Sequence, residues 1–167
     1  MTEAADVLGE AKGAATSSDL LELVSFKLGH EEFGVEIRKV REINRMLDVT
    51  RIPNSPAYME GVVNLRGKVI PVINLRRRFG MEEKAHDKDV RVVVVELGGK
   101  VLGFVVDSVS QVLRIPRSVT EPPPSLMGGV GAEYITAVGK LEDRLLILLD
   151  LEKIFSSAEQ KELREVA

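Results

Sequence analysis

Gly61-Val62-Val63-Asn64-Leu65-Arg66-Gly67-Lys68-Val69-Ile70-Pro71-Val72-Ile73-Asn74-Leu75 returns later in the chain as Ala137-Val138-Gly139-Lys140-Leu141-Glu142-Asp143-Arg144-Leu145-Leu146-Ile147-Leu148-Leu149-Asp150-Leu151. A shift of 76 positions lays Val62 on Val138, Leu65 on Leu141, Val72 on Leu148 and Leu75 on Leu151, and it extends outward to Tyr58 on Tyr134 and Phe79 on Phe155. Upstream, a shift of 69 lays Leu28-Gly29 on Leu97-Gly98, Gly34 on Gly103, Ile37 on Val106, Val40 on Val109 and Ile43 on Val112. The difference, 76 − 69 = 7, is a single insertion in the second copy, and Pro122-Pro123-Pro124 with Gly128-Gly129 falls in the window that must hold it. Two copies are too few for a stacked array, so the pattern describes a small duplicated domain fused into one body.

The stretches between turn residues are short and rich in Val, Ile and Leu. They predict strands over 21–28, 33–37, 61–65, 68–75, 90–97, 101–106, 109–115, 135–141 and 144–151. The fold class is therefore all-β. Val92 to Val95 are apolar on both faces and must be covered from both sides. A plain two-sheet sandwich is the alternative, but two small barrels pressed together, each covering the other, satisfy that requirement and the duplication at once. With 4% aromatic residues the shared core is aliphatic. Pro71 cannot donate to a ladder, so its strand is expected to be bulged or at an edge there. Short helical turns are expected at 55–59 and 76–79. Ser157 with Gln160 forms a capping-box pattern that predicts a terminal helix over 156–166.

Composition excludes several function classes. A chain of 167 residues, 44% hydrophobic and 29% charged, is globular in character and suits one domain or two small ones sharing a core. With 23 Lys+Arg against 26 Asp+Glu, no general basic field exists to gather a phosphate backbone, and no nucleic-acid partner is expected. The one dense basic run, Arg76-Arg77-Arg78, has the counterpart Glu152-Lys153-Ile154 and is expected to be a solvated helical turn. The absence of cysteine removes disulfides, thiol nucleophiles and thiolate metal sites. His30 and His86 sit in charged, turn-like surroundings and are expected to be solvated; Asp107 and Asp150 are expected to cap or close turns. Gly128-Gly129-Val130-Gly131 lacks the context of a phosphate-cradling loop. No cofactor, metal or catalytic residue is expected. Residues 1–18 carry no basic-then-apolar leader and are expected to be a loose tail. The longest aliphatic run falls far short of the ~20 residues that cross a bilayer.

Two copies that must fold alike can diverge where folding does not object. At the turn after Leu65 the first copy has Arg66 and the second has Glu142. A guanidinium offers five donors in one plane and can hold a carboxylate or a set of carbonyls by a two-point grip, which Lys cannot. Any polar residue also suits an exposed turn, and Glu42 is close enough in kind to pair with Arg66 or Arg41 on the chain's own surface. Val40 has the counterpart Val109 in the second copy, so a core role is as well supported as a contact role. Gly61 is matched by Ala137, which points to close packing more than to a required positive φ.

The runs Phe33-Gly34-Val35-Glu36-Ile37, Lys39-Val40-Arg41-Glu42-Ile43, Thr50-Arg51-Ile52-Pro53, Gly61-Val62-Val63-Asn64-Leu65-Arg66-Gly67 and Pro71-Val72-Ile73-Asn74-Leu75-Arg76 resemble the CheW family of chemotaxis coupling proteins. In the second copy Gly103-Phe104-Val105-Val106-Asp107-Ser108-Val109 and Asp143-Arg144-Leu145-Leu146-Ile147-Leu148 resemble it too. The match runs from about Leu20 to Phe155. The resemblance implies two SH3-like five-stranded barrels over 19–155, with copy one at about 20–80, copy two at about 90–155, strands open to exchange between them, and a helix over 156–167. It implies a cytoplasmic, non-enzymatic adaptor at membrane receptor arrays. Its partners would be methyl-accepting chemoreceptors, gripped at the cytoplasmic tip in a groove between the barrels, and the regulatory domain of the histidine kinase CheA, which shares the fold. By position, Arg66 is the receptor-coupling arginine, Gly61 and Asn64 shape its turn, and Val40 with Glu42 lie on an interaction-sensitive strand. Kinase contacts are expected only at exposed barrel edges. The same fold occurs as a module of CheA and of CheV, which stands as the first rival; a small β-barrel enzyme using carboxylates is the rival from another class.

Overall fold

The computed structural model describes residues 19–123 and 134–154. Its strands are β1 (Leu20–Leu28), β2 (Glu31–Glu36), β3 (Val40–Arg45), β4 (Met59–Leu65), β5 (Lys68–Asn74), β6 (Arg91–Leu97), β7 (Lys100–Val106), β8 (Ser108–Pro116), β9 (Thr120–Glu121), β10 (Ile135–Lys140) and β11 (Leu145–Leu149). One short helix, α1 (Leu75–Arg78), follows β5, and 3-10 turns cover Ile37–Lys39, Arg117–Val119 and Leu151–Lys153. The expected terminal helix, the residue Phe155 and the glycine-rich run at 128–131 lie outside the described residues.

The strands form two sheets, ordered β8-β1-β2-β11-β10-β9 and β3-β6-β7-β5-β4. Each sheet mixes strands from both halves of the chain. The first is a five-strand set extended by the two-residue β9, and the second order is the first with every strand exchanged for its sequence counterpart. The registers correspond as well. In β1–β2, Val24 pairs with Val35, Ser25 with Gly34 and Phe26 with Phe33. Adding 69 to each number gives Val93 with Phe104, Val94 with Gly103 and Val95 with Leu102, which are the pairs of β6–β7. In β4–β5, Val62 pairs with Pro71 and Val63 with Ile70; adding 76 gives Val138 with Ile147 and Gly139 with Leu146 in β10–β11. The parallel pair Val72 with Gly103 likewise has its mate in Leu148 with Gly34.

The apolar residues sort into three cores. Val63, Ile70, Val72, Val92, Val94 and Val105 fill the barrel built on β3 to β7. Leu21, Leu23, Leu113, Ile115, Leu146 and Leu148 fill the other. Between them lies the largest, with Val24, Phe26, Phe33, Val93, Val95, Phe104 and Leu151. Val92 and Val94 thus point into a barrel while Val93 and Val95 point at the other barrel, which is why that strand carries no polar face.

Three local expectations are corrected. Residues 55–59 form no helical turn: turns stand at 53–54 and 57–58, and β4 has already begun at Met59. Strand β3 was not among those the alternation predicted, because four of its six residues are polar without a regular alternation and it forms a sheet edge. Pro71 sits in an interior strand, not an edge strand. Its missing donor is tolerated because the ladder to β7 starts only at Val72, leaving that side of Pro71 unpaired.

Candidate functional site

Leu65 pairs with Lys68, so the β4–β5 hairpin turns in two residues. Both are left-handed, Arg66 at φ +52° and Gly67 at φ +86°, the combination of a type I′ turn. Asn64 closes it by accepting from the Gly67 N–H through Oδ1 at 2.8 Å. Gly is the usual occupant of such positions and a long side chain is not. Arg66 and Asn54 are the non-glycine residues held at positive φ among the described residues. The turn therefore lifts Arg66 off the surface, where its side chain is 67% exposed.

The guanidinium grips Glu42 of β3 by two bonds, Nη1 to Oε1 at 3.2 Å and Nη2 to Oε2 at 2.5 Å. Strands β3 and β4 are the two ends of the sheet order, so this pair spans the seam where the sheet curls on itself. The two-point grip anticipated from the chemistry of arginine is thus already filled by the chain's own carboxylate. Glu42 is half-buried and also accepts from Asn44 Nδ2 at 3.0 Å. Val40 is half-buried against the shared core, which places it closer to packing than to a surface contact.

Gly61 lies inside the same hairpin and answers to a different need. A Cβ there would stand 2.2 Å from the Thr50 carbonyl oxygen and 2.6 Å from Val49 Cγ1, at a φ of +152°. Thr50 and Val62 exchange two backbone bonds of 2.8 Å each. The segment before β4 is thereby clamped onto the strand that carries Asn64 and leads to Arg66. Close packing, the expectation at Gly61, is what the geometry shows, and the positive φ adds to it. Of the five expected residues, the structure joins Arg66 to Glu42 and sets Asn64 in the Arg66 turn, these three at the surface, while Gly61 packs against Thr50 and Val40 against the shared core.

In the other barrel, Arg66 has the counterpart Glu142 in the loop between β10 and β11, closed by the Leu141 N–H donating to the Arg144 carbonyl at 2.9 Å. Glu42 has the counterpart Gln111. The cationic tip and its paired carboxylate thus belong to one barrel alone. Among the described residues, four large hydrophobic side chains are exposed, and they too fall into counterpart pairs: Ile43 with Val112, on the outer strands β3 and β8, and Val69 with Leu145, beside the two hairpin turns.

The run Arg76-Arg77-Arg78, expected to be a solvated turn, is half-buried and held in ion pairs and ring contacts. Arg76, at 14% exposure, holds Asp107, at 15%, by Nε to Oδ1 at 2.8 Å and Nη2 to Oδ2 at 2.6 Å. Asp107 also accepts from the Gly29 N–H at 2.8 Å. The Arg76 bonds, ahead of the Gly29 bond, hold the Asp107 carboxyl below its ordinary range, against the opposing effect of burial. Arg77 meets Glu83 at 3.0 Å, and Arg78 lies over the Tyr58 and Tyr134 rings. His86 is not wholly solvated either, since Nε2 stands 3.3 Å from Glu60 Oε1. The only signal of this in the sequence was the failure of the arginine run to repeat.

Among the described residues no group of three His, Cys, Asp or Glu is placed to hold a metal ion, and no helix is long and apolar enough to cross a membrane. Fold and site define a paired-barrel interaction module whose distinctive surface is one cationic hairpin tip. A family model for the CheW-like domain matches residues 22–159. The chemotaxis protein CheW of Klebsiella aerogenes is 41% identical over 161 residues, 93% of this chain and 97% of that protein. The chemotaxis protein CheW of Treponema pallidum is 37% identical over 153 residues, 89% and 90% of the two chains. The crystal structure of the scaffolding protein TtCheW from Thermoanaerobacter tengcongensis superposes with a TM-score of 0.76 at 35% identity, covering 81% of this chain and 92% of that one. The chain belongs to the CheW family of chemotaxis coupling proteins.

Proposed function

We propose that this chain joins the cytoplasmic tips of methyl-accepting chemoreceptors to the regulatory domain of the histidine kinase CheA, in the cytoplasm at receptor arrays, by binding both proteins and catalysing nothing itself. Arg66, Asn64 and Glu42 form the receptor-facing surface in this proposal, with Gly61 and Val40 holding its backbone in place. The observation that carries it is the exposed Arg66 on a type I′ tip whose counterpart in the other barrel is the acid Glu142. A helix surface at a receptor tip offers carboxylates and carbonyls, which suit a guanidinium that can exchange Glu42 for a partner's acceptor. The kinase contact is proposed at exposed barrel edges, where Ile43 of β3 and Val112 of β8 supply apolar area.

The chain is also proposed to be two fused copies, about 20–80 and 90–155, with strands exchanged between barrels. The matched registers support this. Reconstitution tests the function: kinase activity should rise only when receptor, kinase and this chain are all present. Stimulation of the kinase by the chain without receptor would sink the coupling role, and turnover of a substrate by the chain alone would favour the enzyme.

A further inference from the structure

The contacts that brace one half of the chain against the other occupy matched places with opposite chemistry. On α1, Arg76 grips Asp107 at the β7–β8 junction. Its counterpart 76 positions on, Glu152, meets Lys39 at the β2–β3 junction at 3.2 Å. Lys39 is next to Arg38, which is the position 69 before Asp107. The first half of the chain therefore brings a cation to both braces, and the second half brings an anion to both. A third place lies where the halves meet. Arg78 Nε donates to the carbonyl of Ile154, its own counterpart, at 2.9 Å. Its guanidinium spreads over Tyr58 at 5.1 Å and Tyr134 at 5.4 Å, two rings that are again counterparts.

We infer that the two halves recognise each other by opposite charge at the two braces and by one shared arginine at the third place, so that a first half fits a second half and repels another first half. Two first halves brought together in this geometry would set Arg76 against Arg38 and Lys39 at both braces, and two arginines between one pair of tyrosines. Two second halves would set Glu152 against Asp107 twice. The aliphatic surfaces cannot make this choice. Hairpins β1–β2 and β6–β7 share one register and both face the shared core, and burial of such surfaces is not directional. A chain whose halves are so alike in backbone needs a repulsive element against the wrong pairing, and like charges supply it.

Urea unfolding of the full chain, followed by circular dichroism, tests this. Lys39→Glu with Arg76→Glu places anions on both sides of both braces, and Asp107→Lys with Glu152→Lys places cations there; each double variant should lower the midpoint. The fourfold variant restores opposite charge with polarity exchanged, and its midpoint should lie above either double. A fourfold midpoint as low as the two losses combined overturns the inference. Because Asp107 also accepts from Gly29, its loss can unfold the chain for another reason. The exposed brace alone is therefore the second measurement: Lys39→Glu and Glu152→Lys should each lower the midpoint and together return it to the wild-type value. Additive losses there overturn the inference as well.

Discussion

Replacing Gly61 by Ala adds one methyl group and should cost far more than its size suggests. The new Cβ would stand 2.2 Å from the Thr50 carbonyl oxygen and 2.8 Å from its carbon. Those are backbone atoms, which cannot swing aside as a side chain would. To clear them, the 49–50 segment must leave β4, and the two 2.8 Å bonds between Thr50 and Val62 go with it. Losing two such bonds costs about 1–3 kcal/mol. Holding a non-glycine residue at φ +152° adds about 1–3 kcal/mol. The total, about 2–6 kcal/mol, is a large part of the stability of an ordinary domain, about 5–15 kcal/mol. Gly67→Ala is the control, since Gly67 also has a positive φ, +86°, yet a Cβ there meets nothing within 4 Å; it should cost about 1–2 kcal/mol. Urea midpoints of the two variants, with amide exchange at Thr50 and Val62, measure the difference. If Gly61→Ala proves no worse than Gly67→Ala, the clamp is not what makes this glycine necessary.

Asp107→Asn breaks a largely buried ion pair, a change that costs about 3–5 kcal/mol when burial is complete, and residual solvent contact puts this one at about 2–3 kcal/mol. Because the folded carboxyl titrates below its unfolded value, its contribution is complete above the ordinary aspartate range, near 3.8, and is lost as pH falls through the folded pKa. Acid unfolding of wild type and Asp107→Asn should therefore converge at low pH; a constant gap down to strong acid would contradict the pairing. Phe104→Ala, at 2% exposure in the shared core, should cost about 3–5 kcal/mol by thermal or urea unfolding, and a loss under 1 kcal/mol would show that the interface between the barrels is not tightly packed.

How much was legible in the residues follows from which forces are local. The hairpins were, because alternation, Gly-bearing turns and a repeated register are written in neighbouring positions. Val92 to Val95 announced two covered faces without any coordinates. Strand β3 was not legible, since an edge strand tolerates polar Arg41, Glu42, Asn44 and Arg45, which leave only Val40 and Ile43 to carry an apolar signal. The fate of Arg76 was not legible either: its partner Asp107 is 31 positions away and reaches it only when β5 pairs with β7. At the candidate site, the chemistry of Arg66 and the chance of its pairing with Glu42 could be read in advance. The left-handed backbone that raises it, and the contact of Gly61 with Thr50, needed the fold.

Capture of a receptor cytoplasmic fragment and of the kinase regulatory domain, measured separately with Arg66→Glu, tests the central claim. The pair Arg66–Glu42 is exposed and worth about 0–1 kcal/mol, so the variant should fold normally. Receptor capture should fall sharply while kinase capture persists. Equal loss of both, or receptor capture left untouched, would contradict the assignment of this turn to the receptor.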